Sequence, residues 1–230
     1  MRKKWIRIVA VLLVIAGIGI ILYPYLCQQL YQYQTEAGQE AFIRKKEKEK
    51  YPELLEAMKE YNRNLDENGQ EGLQDAWSYQ KASFNLEEYG IDDGIIGYLT
   101  VPAMDVTLPI YLGATEENMA KGAAHLSETS LPIGSFDGVH INCVLAAHRG
   151  YAKAAMFRDI ELLHPGDTVQ ITNLWETLTY QVERMEVISP HDIDAVRISE
   201  EEEDMLTLIT CHPYGENSQR YCVYCVRTDR

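Results

Sequence analysis

An apolar run near the N-terminus, Ile8–Leu26, is the strongest constraint on this 230-residue chain, because 19 consecutive positions carry no charge. At about 1.5 Å per residue, a helix of that length is about long enough to cross the ~30 Å hydrocarbon core of a bilayer. Trp5 lies at one edge of the run, and Tyr23 and Tyr25 lie near the other, where aromatic rings favour the membrane interface. The pattern predicts a transmembrane anchor over residues 1–27.

Basic residues lie on only one side of this run. Four of them precede it, namely Arg2, Lys3, Lys4 and Arg7, and none follows closely. Because positive flanks stay inside the cell, we predict a single-pass protein of the cell membrane with a cytoplasmic N-terminus and an extracellular remainder. A cleaved signal peptide is the alternative, although its apolar region spans roughly 7–15 residues and ends at a small-residue cleavage site.

Charge is distributed unevenly along the chain. Residues 1–50 carry 9 Lys and Arg against 4 Asp and Glu, whereas residues 51–230 carry 12 against 31. The acidic excess of residues 51–230 argues against nucleic acid as a partner, because the phosphate backbone binds basic surfaces. The simplest interpretation is that the additional Asp and Glu residues lie on a charged, solvated surface.

The chain beyond the anchor divides into three regions. Residues 28–68 are predicted to form a stalk and a helical segment, with a helix that begins at Pro52 and carries one apolar stripe. Residues 69–93 form a long irregular connection rich in aromatic residues, which suggests that it docks on the folded domain. Residues 94–230 change to a β pattern.

Short apolar runs alternate with turn residues throughout this last region. Such a rhythm is typical of a β-barrel or a β-sandwich, so the predicted fold class is mainly β with short helices. One short helix is expected over Ala152–Leu163. The predicted strands are Ile95–Val101, Leu108–Tyr111, Ile141–Ala147, Thr168–Thr172, Thr177–Val187, Leu206–Thr210 and Tyr221–Val226.

Five cysteines is an odd number for a protein outside the cytoplasm, so at least one thiol has no intramolecular partner. Cys211 ends a predicted strand, and the Pro- and Gly-containing loop behind it leaves space for a substrate, which suits a nucleophile. A buried core cysteine is the alternative, since free Cys is among the most buried residue types.

Two further residues are candidates to assist this thiol. His148 ends another predicted strand behind two small alanines, and Arg220 precedes the strand that follows the Cys211 loop. A guanidinium offers fixed, forked donors that can stabilise a thiolate or an oxyanion. A structural histidine and a surface ion pair are the alternatives. His212 is adjacent to Cys211 in sequence, but neighbouring strand residues point to opposite faces.

Metal binding finds little support in the sequence. Cys222-x-x-Cys225 is a single pair within a strand, so its thiols face opposite sides, and no second pair exists. The acidic run Glu200–Asp204 lacks the spacing of an EF-hand loop and is interpreted as solvated. No metal and no cofactor are predicted.

The strand that ends at Cys211 reads TLITC and resembles the TLxTC motif of the sortase family. The family's catalytic histidine lies well upstream and its arginine lies in the next strand, in the places of His148 and Arg220. The resemblance covers about residues 94–226. It implies a closed barrel of about eight strands and a cysteine transpeptidase whose catalytic residues are His148, Cys211 and Arg220.

Within that family the chain is most similar to class C. The sequence TCHPYGENSQR, which includes Cys211 and Arg220, resembles the class C pattern TCxPYGxNxxR. Class C members often carry an Asp-Pro-aromatic lid, and Asp75, Ala76 and Trp77 stand in the matching place, with alanine where proline is usual. The resemblance implies that the connection is a lid, in which Asp75 pairs with Arg220 and Trp77 covers Cys211.

The same resemblance implies a reaction. Cys211 would cleave an LPxTG-like sorting signal between Thr and Gly through a thioacyl intermediate, and a lysine amine of a pilin subunit would accept the acyl group. A housekeeping sortase that joins surface proteins to a cell-wall peptide is the nearest alternative. A cysteine protease or amidase is the other, since Cys–His pairs also hydrolyse peptides.

Overall fold

The computed structural model describes residues 2–48, 50–79, 81–83, 85–150, 154–199 and 204–229. Two helices open the chain, α1 (Arg2–Lys48) and α2 (Pro52–Asn68). Within the described residues, α1 is the one helix long and apolar enough to cross a membrane. Residues 200–203 of the acidic run that the sequence singled out lie outside the described part of the chain, as does Phe84 of the connection between residues 69 and 93.

α2 packs against the folded domain through one face. Its buried side includes Leu54, Met58 and Leu65 of the predicted apolar stripe, together with the fully buried Asn62. The Asn62 amide donates to the Leu131 carbonyl at 3.3 Å and accepts from the Leu131 N–H at 2.7 Å. Both the donor and the acceptor of this buried amide are therefore paired, and the two hydrogen bonds join α2 to the barrel.

Eight strands close into a barrel in the order β1-β2-β3-β4-β7-β8-β6-β5, which confirms the predicted fold class. Neighbours are antiparallel except for the parallel pairs β2–β3 and β4–β7. The strands are β1 (Ile95–Val101), β2 (Val106–Leu112), β3 (Ala123–His125), β4 (Ile141–Ala146), β5 (Thr168–Asn173), β6 (Thr177–Ile188), β7 (Asp204–His212) and β8 (Gln219–Arg227). A short helix, α3 (Glu116–Met119), lies between β2 and β3.

Two local features differ from the sequence prediction. β3 is only three residues long, too short to produce an alternating pattern, and it was not predicted as a separate strand. The helix expected over Ala152–Leu163 is wrong in its described part, which contains turns and a 3₁₀ helix at Ile160–Leu162. Met156 has a positive φ of 47°, and the Phe157 N–H donates to the His148 carbonyl, so the chain folds back here and does not continue as an α-helix.

Strands β4, β7 and β8 are buried on both faces, which explains their nearly continuous apolar sequences. The 3₁₀ helix Ile193–Val196, which precedes β7, and the connection between α2 and β1 pack against the outer face of these strands. Inward-facing residues in the barrel core include Leu145, Leu208 and Val223. Outward-facing residues in the second apolar cluster include Val144, Ile209 and Cys222, covered by Leu73, Ala76 and Val196.

The second half of α1 lies along the barrel. The rings of Phe42 and Tyr98 meet edge to face with centroids 5.4 Å apart. Gly38 lies so close to Tyr98 that a Cβ there would approach the tyrosine hydroxyl to 2.7 Å. The stalk predicted between residues 28 and 50 is therefore helical to Lys48 and packed against the domain.

Candidate active site

The candidate nucleophile lies where two parallel strands end. β4 and β7 run in register up to the pair Ala146 and Ile209. The Ala147 N–H continues the contact by donating to the Ile209 carbonyl at 3.3 Å, and the Thr210 hydroxyl donates to the Ala147 carbonyl at 2.7 Å. The same register, continued by two residues, sets His148 level with Cys211.

Arg220 faces Cys211 from the next strand. The two residues are direct partners in the β7–β8 ladder, and Nη1 of the arginine lies 3.9 Å from the cysteine sulfur. The same nitrogen donates to the carbonyls of Asn217 and Gln219, both at 2.9 Å. Arg220 is only 4% exposed, so these carbonyl bonds fix the guanidinium beside the thiol without exposing it to water.

The connection between α2 and β1 reaches into this site through Asp75 and Trp77. Both oxygens of Asp75 accept from Arg220, from Nε and Nη2, each at 2.7 Å. The Trp77 ring lies 4.6 Å from the Arg220 guanidinium carbon and meets the His148 ring edge to face at 6.4 Å. Trp77 therefore contacts both the imidazole and the guanidinium, and it comes from the same connection as Asp75.

Burial and these charges set the protonation of the two candidate residues. Burial raises the pKa of the Cys211 thiol above its usual value, the nearby Arg220 opposes this, and the Asp75 carboxylate adds to it. Burial lowers the pKa of His148, and the Glu116 carboxylate opposes that shift. With the connection in this position, a neutral thiol beside a neutral imidazole is favoured over the reactive thiolate.

A second ionic group lies next to the candidate residues, and no sequence pattern predicts it. Arg149 donates to Glu161 at 2.6 Å and to Nδ1 of His212 at 2.7 Å. Because arginine only donates, Nδ1 of His212 is the acceptor. His212 thus contacts Arg149, as expected for a strand neighbour of Cys211 that faces the other way. Glu161 lies 12 positions and His212 63 positions beyond Arg149, so only the fold brings them together.

Three other cysteines, Cys143, Cys222 and Cys225, have surroundings unlike those of Cys211. Cys222 packs in the outer apolar cluster and Cys225 in the barrel core, on opposite faces of β8. Burial raises the pKa of Cys222 to about 12. Cys143 is fully buried. In the described parts of the chain, no group of three or more His, Cys, Asp or Glu side chains is arranged to hold a metal ion.

Comparisons with known proteins all point to the same family. The profile described as Sortase domain matches residues 99–228. Sortase A of Bacillus anthracis is 30% identical over 129 residues, an alignment that spans 56% of this chain and 58% of that protein. Sortase D of Bacillus subtilis (strain 168) is 27% identical over 147 residues, or 63% of this chain and 67% of that protein.

Solved structures extend the similarity to the connection and the helices. Sortase C1 of Streptococcus agalactiae, in its complex with MTSET, is 31% identical with a TM-score of 0.74, over 84% of this chain and 97% of that one. Streptococcus pneumoniae sortase C is 28% identical with a TM-score of 0.70, over 84% and 97%. These neighbours are class C sortases, the subclass that this chain most resembles.

Proposed function

Because this chain belongs to the sortase family and most resembles its class C members, we propose that it is a membrane-anchored cysteine transpeptidase with Cys211 as its nucleophile. The proposal rests on one observation above all, the pairing of Cys211 with the buried Arg220 across β7 and β8. A cation fixed beside a thiol at the open end of a barrel stabilises negative charge on the sulfur and on a nearby oxyanion.

The proposed first half-reaction cleaves an LPxTG-like sorting signal. The Cys211 thiolate forms a bond to the threonine carbonyl carbon, and Arg220 donates to the oxygen on which negative charge collects. The Thr–Gly C–N bond then breaks, and protonated His148 gives its proton to the departing glycine amine. The products of this step are a thioester on Cys211, a neutral His148 and a peptide with a free amino terminus.

The proposed second half-reaction transfers the acyl group to an amine. A lysine of a pilin subunit attacks the thioester carbonyl, His148 takes its proton, and the Cys211 thiolate departs as the new amide forms. The pneumococcal neighbour, whose structure is described in terms of pilin substrate specificity, supports a pilin as the substrate. A cell-wall peptide amine would give the housekeeping reaction, and water would give hydrolysis.

The proposal also assigns Asp75 and Trp77 to a lid. Asp75 occupies two donors of Arg220, and Trp77 packs on both Arg220 and His148, so a substrate carbonyl reaches the guanidinium only after both side chains leave. Since each contact crosses from the connection to the barrel, displacement of residues 75–77 removes both at once. This supports a resting enzyme that waits for a substrate or partner to open it.

Mass spectrometry of the intact protein tests the nucleophile. Incubation with an LPxTG-type peptide should add the mass of the LPxT acyl group to the wild-type chain and to Cys222→Ala, but not to Cys211→Ala. Cys222 is a matched control because it lies on the neighbouring strand but is fully buried. An acyl adduct on Cys211→Ala would show that another residue is the nucleophile.

Product analysis then separates the three acceptors. With the sorting peptide, a pilin-derived lysine peptide and a cell-wall peptide present together, we expect the lysine isopeptide to dominate. A dominant cell-wall peptide adduct would indicate a housekeeping sortase. Hydrolysed LPxT as the main product, even with amines in excess, would indicate a protease or amidase.

A further inference from the structure

The first barrel contacts of α1 lie at the catalytic end of the barrel, defined here as the end that carries His148, Cys211 and Arg220. The Ala155 N–H donates to the Gln28 side chain at 2.7 Å. Ala155 belongs to the segment that folds back from His148, since the nearby Phe157 N–H donates to the His148 carbonyl at 3.0 Å. α1 therefore meets the domain beside the proposed active site.

A second contact of α1 also lies at the catalytic end, as the directions of the strands show. The Tyr31 hydroxyl donates to the Lys121 carbonyl at 2.9 Å. Lys121 lies just before β3, which runs antiparallel to β4 with Ala124 opposite Ala146. Because β4 ends at the catalytic end, β3 begins there, and Lys121 lies at that end as well.

Later contacts of α1 lie progressively farther along the barrel. Phe42 meets Tyr98 in the middle of β1. Just beyond α1, the Lys50 carbonyl accepts from the Trp175 indole at 2.7 Å. Trp175 lies in the turn between β5 and β6, at the opposite end of the barrel from Cys211. α1 thus runs the length of the barrel, from its catalytic end to this β5–β6 turn.

The apolar run of α1 ends at Leu26, immediately before these contacts begin. At about 1.5 Å per residue, Gln28 lies ~3 Å and Phe42 ~24 Å beyond Leu26 along the helix. Pro24 lies within the apolar part and ahead of every barrel contact, so it cannot separate the barrel from Gln28. Contacts at Gln28, Tyr31 and Phe42 fix both the height and the rotation of the barrel on the helix.

We infer that α1 holds the barrel with its catalytic end toward the bilayer and its β5–β6 turn away from it, so that Cys211 acts on polypeptides tethered in the same membrane. The inference rests on the proposed membrane anchor and deepens the proposed function. In this orientation Cys211 lies on the side of the barrel that faces the bilayer. A cleavage site that its membrane tether holds close to the lipid surface is then at the same height as the nucleophile. A soluble peptide gains nothing from this placement, which makes tethered and soluble substrates the natural comparison.

Depth measurements test the orientation without any activity. In full-length protein carrying Cys27→Ser and Cys211→Ala and reconstituted in phosphatidylcholine vesicles, a fluorophore is attached at Leu162→Cys or at Thr177→Cys. Leu162 is 58% exposed in the segment after Phe157, and Thr177 is exposed beside the β5–β6 turn. Nitroxide on the lipid headgroups should quench the label at position 162 at least three-fold more. Equal or reversed quenching overturns the inference.

A pair of variants asks whether the docking of α1 sets this orientation. Gly38→Leu places a side chain where Tyr98 stands, whereas Ala37→Leu adds the same side chain on an exposed position of the same helix. The quenching difference should shrink in Gly38→Leu and persist in Ala37→Leu. A difference that persists undiminished in both variants contradicts the role of the helix contacts.

An insertion tests the consequence for substrates. Seven helix-forming polar residues placed between Cys27 and Gln28 move the barrel about 10 Å farther from the bilayer. Because seven residues make nearly two full turns, the barrel rotates about the helix axis by only ~20°. Turnover of a sorting peptide attached to vesicle lipid should fall at least five-fold, with turnover of the soluble peptide unchanged. Equal turnover of the tethered peptide overturns the inference. If the protein without the insertion turns over neither the tethered nor the soluble peptide, that result would count against the proposed function. The quenching measurement would still decide the orientation.

Discussion

Two buried arginines lie near the candidate nucleophile, and each is paired with a carboxylate. Arg220 lies beside the Cys211 sulfur, and Arg149 contacts the next residue of the strand, His212. Arg220 binds Asp75, which belongs to the connection outside the barrel, whereas Arg149 binds Glu161, which belongs to the segment that follows it in the barrel. Displacement of residues 75–77 therefore frees Arg220, but nothing in that movement disturbs Arg149. The comparison indicates that an ion pair made with a separate segment can serve as a switch, and one made within the domain serves as support.

The largest difference between the two arginines should appear in catalysis. Arg220→Ala removes the donor nearest the cysteine sulfur, and loss of one such donor typically costs about 10²–10³ in rate. Arg149→Ala removes a contact to His212 and should slow the reaction less than about ten-fold. Single-turnover formation of the LPxT thioester measures both. Equal losses in the two variants would contradict a division between switch and support.

Asp75→Asn sharpens the comparison from the side of the carboxylate. Removal of its charge should lower the pKa of Cys211, because Asp75 raises that pKa and also shares Arg220. Since alkylation follows the thiolate, the rate should rise several-fold at pH 7 and its pH midpoint should move to lower pH. Iodoacetamide labelling in a Cys27→Ser background measures this. Glu71→Gln, an exposed acid on the same connection, should leave the profile unchanged.

The contrast also explains what the sequence could and could not predict. The TLITC strand and the short alternating runs encode local periodicity, so the mainly β fold followed from the pattern and the closed barrel from the resemblance. The pairing of Asp75 with Arg220 was expected from the resemblance alone, across 145 positions. The contact between Arg149 and His212 has no local pattern, because it depends on the parallel register of β4 and β7.

The position of α1 was missed for a related reason. A polar, charged sequence from residue 28 onward predicts a solvated spacer, and its buried positions, such as Thr35 and Phe42, are too few to form a clear stripe. The helix packs through isolated hydrogen bonds, such as the bond from Ala155 to Gln28, and through the aromatic contact of Phe42 with Tyr98. Contacts of this kind need the partner surface before they can be recognised.

Trp77→Ala probes access to the thiol without a change in charge. The indole packs on the Arg220 guanidinium and on His148, so its removal should open the site and speed alkylation of Cys211 about two- to five-fold at a fixed pH, with a much smaller shift of the pH midpoint than in Asp75→Asn. A cation–π contact of this type is worth about 0.5–2 kcal/mol. Tyr79→Ala, an exposed aromatic two residues away, is the matched control. An unchanged rate would remove Trp77 from the lid.

The smallest effect is expected at Glu161, whose side chain is 50% exposed. Glu161→Gln keeps the shape and removes the charge, so water can replace much of what Arg149 loses, and half-exposed pairs contribute about 0–1 kcal/mol. We expect a loss of unfolding free energy below about 1 kcal/mol and a fall of kcat below about three-fold, with KM unchanged. Glu186→Gln breaks the exposed pair with Arg184 on β6 and should leave kcat unaltered. A kcat loss in Glu161→Gln as large as that in Arg220→Ala would mean that the Arg149 group takes part in the chemistry, and the comparison between the two arginines would then fail.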